Sequence, residues 1–410
     1  MMDERRLRRE LHDAPLPDEA GARQRGWRVV RAAFLERERI PPASRRPAKL
    51  LLAAAVAAAV LAIVLSPAGA RVADVFRDVT GIGKQAAAPA LRALPAPGRL
   101  LVTSHEGVWV VSADGSKRLL GRYRDASWSP RGLFVAATTG RELAAVEPGT
   151  GTVHWTLDRP RITDPAWSPS GFRIAYRSGT ELRLVAGDGT GDRLLAHGTA
   201  PVIPAWRPLS RLGRALVEKG AEPPERLAFV DAGGRIHVID PASGRQLWSS
   251  TAGQPPRLLA WSADGETLVA IGARAVRVYG AGGELERTIA LSGGARVGAV
   301  ALAPSGHGLA AATSRVGRSG AARGEIELAD HASVGAKSRQ LFSGPGRFSG
   351  LAFSPNGRWL LVAWPDADQW LFIPLAGGKV KAVSHISQQF APGASAPTSF
   401  PRLDGWCCHR

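Results

Sequence analysis

Between Arg99 and Cys407 the chain consists of short runs in which apolar and polar residues alternate, broken every few positions by Gly, Pro, Ser or Asp. Alternation with period two marks strands that bury one face. The unit from Asp164 reads PAWSP, FRIAYRSG, ELRLVAGDG and DRLLAHG. It predicts four strands, the first two joined by a turn whose glycine supplies positive φ. The preceding unit repeats this grammar as ASWSP, GLFVAATTG, ELAAVEPGTG and VHWTL. Two later units do the same, as LAWSADGETLVAIGARAVRVYGAGGELERTIAL and LAFSPNGRWLLVAWPDADQWLFIPLAGGKVKAVSH.

Aligned on their large apolar anchors, Trp128, Trp167, Trp206, Trp261, Leu302 and Phe353, the units are separated by 39, 39, 55, 41 and 51 residues. Periods of about 40–50 residues, each with several short strands, predict β-propeller blades. The anchor ring is expected to wedge between neighbouring blades, where a large, weakly polar side chain buries most surface. Two units are weaker: the one from Trp206 has a long irregular middle, and the one around Leu302 carries a Gly/Arg-rich insertion through Gly324. RLLVTSHEGVWVVSADGSKRLLG offers three strands without an anchor, and SFPRLDGWCC an anchor strand without companions. If these two pair, the ring closes with no free edge. The expected fold class is all-β, a seven-bladed β-propeller over residues 98–408, with six or eight blades as the alternatives left by the weak units.

The recurring WSPRG from Trp128, WSPSG from Trp167, WSADG from Trp261 and FSPNG from Phe353 resemble the WSPDG-type repeats of TolB-like, WD-repeat-like propellers, over roughly Pro97 to Cys408. The chain departs from that pattern at Trp206, where WRPLSRLG lacks the short turn, and at Leu302, where the aromatic is gone. EPGTGTVHW, ending at Trp155, and DPASGRQLW, ending at Trp248, are similar to quinoprotein-type blade ends. The TolB-like resemblance implies a non-catalytic propeller. Repeats of this kind also accompany serine peptidases, and a quinone cofactor would need more ligand residues than two matched blade ends provide.

Ahead of the repeats, Leu50 to Ala70 carries no charge, and as a helix it would be about 31 Å long, enough to span a bilayer. Arg37, Arg39, Arg45, Arg46 and Lys49 precede it, and the excess of cations on that side keeps the N-terminus cytoplasmic. Residues 1–49 are then a basic cytoplasmic stub with short amphipathic helices, the stripe Trp27, Val30, Phe34 and Leu35 being suited to a partner or the inner leaflet. Residues 50–70 form a transmembrane helix, and 71–97 a linker with one short helix. The propeller is expected outside the cytoplasm. The alternative is export with cleavage near Ala70, after the small-x-small pattern Ala68-Gly69-Ala70.

The chain of 410 residues carries a net charge of +18, which raises nucleic-acid binding as a reading. Its arginines are scattered, however, and no recognition helix, zinc finger or RNA-binding signature is present, which argues against it. The sequence contains no GxSxG elbow, no HExxH and no HxxxH pair. The lone His154 and His237 read as strand residues, and Asp188 to Asp192, DGTGD, as a hairpin turn rather than a cation grip. No catalytic residue, metal or cofactor is expected. Cys407 and Cys408 allow a vicinal disulfide, pairing between chains, or soft-metal binding with His409; otherwise one packs inside the closing strand and the other stays free.

One positional regularity bears on ligands. Arg124, Arg257 and Arg402 lie four residues before Trp128, Trp261 and Trp406, while Arg161, Arg296 and Arg347 lie six before Trp167, Leu302 and Phe353. Even offsets put these side chains on one face of each first strand or its lead-in. The starts of those strands gather round one mouth of the channel, which predicts a basic funnel for an anionic ligand or acidic peptide. Pairing of the same arginines with Asp125, Asp164 or Asp404 is the competing expectation. The expected function is a membrane-anchored, non-catalytic binding or scaffold platform for envelope protein partners or an anionic ligand. The alternatives are a quinoprotein-like or other envelope enzyme subunit, and a transmembrane sensor with a partner-binding cytoplasmic stub.

Overall fold

The computed structural model describes residues 90–408 apart from 263, 274, 291–294, 305–307, 318–319, 331–337 and 393–398. The expected stub, membrane helix and most of the linker lie outside the described residues. Among the described residues no helix is long and apolar enough to cross a membrane.

Among the described residues the alternating runs form twenty-eight strands in seven four-stranded sheets. Each sheet is a blade, and residues 98–408 form a seven-bladed β-propeller. Blade 2 runs from centre to rim as Asp125–Trp128, Val135–Thr138, Glu142–Val146 and Val153–Asp158, and blade 3 as Ile162–Trp167, Arg173–Ser178, Glu181–Ala186 and Arg193–Ala196. The inner strands of blades 4 to 7 are Ala205–Trp206, Leu258–Trp261, Arg296–Leu302 and Gly350–Phe353. Blade 1 is composite. Its inner strand is Arg402–Cys407, which pairs antiparallel with Arg99–Ser104, Leu100 facing Trp406. Closure by the two ends of the repeat region is therefore as the sequence pattern predicts.

The SPxG turn owes its shape to its serine. In blade 3 Ser168 N donates to Arg173 O at 2.8 Å, and Arg173 N donates to Ser168 Oγ at 3.2 Å. The same two bonds close Ser129 with Phe134, Ser262 with Thr267 and Ser354 with Trp359. Gly132, Gly171, Gly265 and Gly357 sit at φ between 65 and 82°, where a side chain would be strained. All four serines are buried, so each hydroxyl serves the backbone of its own turn.

Tryptophans join the blades at two radii. Near the centre, Trp206 Nε1 donates to Ala166 O at 2.9 Å and Trp261 Nε1 to Ala205 O at 3.1 Å, each reaching the inner strand of the blade before. Further out, Trp155 Nε1 donates to Gly187 O and Trp248 Nε1 to Ala281 O, at 2.9 and 3.0 Å. Both rings lie flat against a turn of the next blade, with no room for a side chain at Gly189 or Gly283. These two blade ends thus dock neighbouring blades together. Buried apolar surface is continuous across each such junction, as between Leu143 of blade 2 and Ile162, Trp167 and Tyr176 of blade 3.

Three stretches differ from the expectation. The Gly/Arg-rich insertion of blade 6 is largely a long hairpin, Gly308–Val316 with Ala322–Asp330, in which Gly324 faces Ser314. Where Leu302 replaces the aromatic, Phe342, Phe348 and Trp364 fill the junction with blade 7 through edge-on and tilted ring contacts. The end of the supposed linker also belongs to the core: Leu91 and Leu94 are buried in the cluster that holds Trp109, Phe372 and Phe390.

Candidate functional site

Because every inner strand runs the same way round the channel, the residues that begin these strands share one face of the ring. Arg402 and Arg296 are the first residues of their strands, Arg124, Arg161 and Arg257 immediately precede theirs, and Arg347 lies three residues ahead of Gly350. All six are exposed. The fold brings them to one mouth, at its inner rather than its outer radius.

Arg402 is the member drawn into ion pairs. Its Nε donates to Asp404 Oδ1 at 2.6 Å and its Nη2 to Asp125 Oδ1 at 2.5 Å. Asp125 Oδ2 in turn accepts from Asp164 N at 2.7 Å, and Asp164 Oδ2 from Arg177 Nη1 at 2.8 Å. The chain of charges fastens blades 1, 2 and 3 together across the mouth. Thr103 Oγ1 donates to the buried Asp404, whose carboxyl burial pushes up to about 6 against the pull of Arg402. The guanidinium groups of Arg124, Arg161, Arg257, Arg296 and Arg347 have no hydrogen-bond or ion-pair partner among the described residues.

The same face carries arginines that the repeat spacing did not reveal. Loops between the second and third strands of a blade return to the end where inner strands begin, and they bring Arg141 and Arg235; the connections between blades add Arg122 and Arg159. With Arg124, Arg161, Arg257 and Arg347, the described loops on this face hold eight arginines against four carboxylates, Glu106, Asp231, Asp366 and Asp368. Loops on the opposite face hold eleven carboxylates and nine cations. By these loop residues one face is basic and the other near balance, although Arg159 is held in an ion pair with Asp192. Antiparallel topology alone assigns loops to faces, so the signal was available once the strands were placed.

The remaining candidates have structural partners. Asp188 Oδ1 accepts from both Thr190 N and Thr190 Oγ1, closing the hairpin turn. Asp192 accepts from Arg183, from Arg159 of the neighbouring blade and from Tyr176 Oη at 2.5 Å. Burial, followed by that carboxylate, raises the Tyr176 phenol well above its ordinary range. His237 stacks on Phe229 and bonds Asp231 and Gln246, and His154 meets the Phe134 ring edge-on. Among the described residues no group of three or more His, Cys, Asp or Glu is placed to hold a metal ion. Cys407 and Cys408 are joined as a vicinal disulfide where the closing strand ends, beside the carbonyls of Ser129 and Pro130.

No protein-family model matches the chain, and no curated protein does. Among solved structures it is similar to Kuenenia stuttgartiensis hydrazine synthase, with 16% identity and a TM-score of 0.48, over 61% of this chain and 76% of that one. It is similar also to the β-propeller domain of Myceliophteria thermophila Cps50 (Swd1), with 14% identity and a TM-score of 0.48, over 64% of this chain and 86% of that one. Likenesses this distant bear neither on activity nor on partners, and the fold assignment rests on the seven sheets themselves.

Proposed function

We propose that the propeller is a non-catalytic binding platform whose arginine-studded mouth receives an acidic protein segment. The observation that carries this reading is the polarity of the ring: the exposed Arg124, Arg161, Arg257, Arg296 and Arg347 at the inner-strand starts have no side-chain partner among the described residues, Arg402 alone of the six being ion-paired, and the loops of the opposite face are near balance. Guanidinium groups spaced round an opening suit carboxylate-bearing side chains, which they bind bidentately. The kinship proposed is with TolB-like propellers, on the strength of the Ser-Pro-x-Gly turns. The propeller is proposed to stand outside the cytoplasm, tethered by residues 50–70, a reading supported by their hydropathy and by the cations that precede them.

The test is a titration of the full chain with fluorescein-labelled poly-L-glutamate. Charge reversal at Arg124, Arg161 and Arg257 together is expected to weaken binding about tenfold or more with an unchanged unfolding temperature, and to flatten its salt dependence. Reversal of Arg211 and Arg358, on the opposite face, is expected to change little. Equal losses from the two variants, or none from the first, would overturn the proposal.

A further inference from the structure

The connection between the first two strands of blade 4 is where the repeat breaks down. Five residues, 168–172, make this connection in blade 3, whereas twenty, 207–226, make it in blade 4. The extra chain contains the helix α1 (Arg211–Glu218), capped by Ser210 Oγ, which accepts from Gly213 N at 3.1 Å. It folds back over blade 3 and is fastened there by Arg173. Arg173 Nη1 donates to Glu225 Oε2 at 2.9 Å, Arg173 also pairs with Glu222, and the Glu225 side chain is fully buried.

Between this latched segment and the turns of blades 2 and 3 lies a cavity of about 520 Å³. Its floor is apolar and aromatic, made chiefly by Phe134, Trp167 and Phe172, and Leu209 and Val217 form its roof. Leu133 at its side is 42% exposed. Two cations reach it: Arg131, whose guanidinium has no partner among the described residues, and Arg214, whose Nη1 donates to Leu209 O at 2.9 Å. One carboxylate, Glu218, also lines it and pairs with neither arginine.

We infer that this cavity binds a small organic anion with an apolar body, an aliphatic or aromatic carboxylate. Cavities of roughly 300–1,000 Å³ with apolar walls and a few placed polar groups are where small molecules bind. Aromatic edges and aliphatic side chains take the body of such a ligand, and Arg131 and Arg214 take its charged end. A ring of acidic partner residues at the mouth would not compete, because the cavity lies on the opposite face. The inference therefore goes beyond the proposed platform and stands or falls separately.

The test uses the full chain and the apolar sulfonate dye 8-anilinonaphthalene-1-sulfonate, followed by displacement with decanoate and with decanol. One saturable site is expected, from which decanoate displaces the dye and decanol does so much less well. Val217→Trp, which fills the cavity, is expected to weaken binding about tenfold or more, and Arg131→Glu, at an exposed side chain, by about threefold to tenfold. Leu212→Ser, at an exposed leucine of the same helix that does not line the cavity, is expected to leave binding unchanged. Unaltered binding in Arg131→Glu, or in a Val217→Trp protein that unfolds as the parent does, would sink the inference. So would equal displacement by the alcohol, or a loss in Leu212→Ser as large as that in Val217→Trp.

Discussion

Blades 3 and 4 have the same four-stranded sheet and the same tryptophan anchor, yet the chain leaves their inner strands in opposite ways. In blade 3 the Ser168 hydroxyl and amide close a five-residue turn, and its Oγ lies 2.9 Å from Ser170 Oγ. In blade 4 arginine stands where that serine would be. A single backbone bond from Arg207 N to Arg226 O, at 2.9 Å, resumes the ladder nineteen residues on. The Arg207 side chain turns outward to the next blade instead, donating to Gly265 O at 2.6 Å and lying over the Trp261 ring. Between these two blades the tryptophan is kept while the connection changes, serine closing the short turn of blade 3 and arginine opening the long connection of blade 4. The longer connection lies over the neighbouring blade, where Arg173 holds it.

The largest expected effect tests the shared half of that comparison. Trp167→Ala and Trp206→Ala should each cost about 3–5 kcal/mol in denaturant unfolding, because both rings fill a junction between blades. A cost below about 1 kcal/mol at Trp206 would break the comparison, since blade 4 would then not depend on its anchor. Next, Arg173→Ala leaves the buried Glu225 carboxylate without its ion pair and should cost about 3 kcal/mol, concentrated in the latched segment. Limited proteolysis should then cut within residues 207–226 while the parent chain resists there.

Blade 1 extends the contrast, since its first two strands come from opposite ends of the repeat region and have no connecting turn at all. It holds Asp404, whose folded value of about 6 lies above the ordinary 3.8. The folded state therefore takes up this proton first, and the contribution of Asp404 to stability rises as pH falls from about 7 to about 4. The difference of about two units corresponds to at most about 3 kcal/mol. Asp404→Asn should remove that pH-dependent part, read as the difference between urea midpoints at pH 4.5 and 7.5 in the two proteins. A parent-like pH slope in the variant would exclude Asp404 as its source. The smallest effect expected is that of Ser168→Ala, about 1–2 kcal/mol, from a turn amide left without its hydroxyl.

The sequence made the ring legible because three residue types recur together: an anchor ring, a serine that closes a turn, and a glycine at positive φ. What it hid has physical causes. Gly324 read as part of an insertion, but it is a strand glycine, required because the Phe348 ring occupies the space where its side chain would be. Helix α1 is eight residues long and contains Gly213, so it is too short and too weak a helix former to stand out inside a connection that breaks the repeat. The repeat offsets placed six arginines at one mouth, but they could not show that Arg402 bonds to Asp125. That pairing depends on the register between blades from opposite ends of the chain. Arg141 and Arg235 belong to loops whose face becomes assignable only when strand order is known.

The pairing of Leu100 with Trp406 also sets a schedule for synthesis. As the chain leaves the ribosome, Arg99–Ser104 is among the first strands made, and the strand that belongs at its inner edge is the last. Until then Leu100, Leu101 and Val102, all fully buried in the finished ring, border an unsatisfied edge that any other extended segment could occupy. The nascent propeller is an open arc until Arg402–Cys407 emerges, and a product truncated a few residues before Arg402 would keep that sticky edge for good.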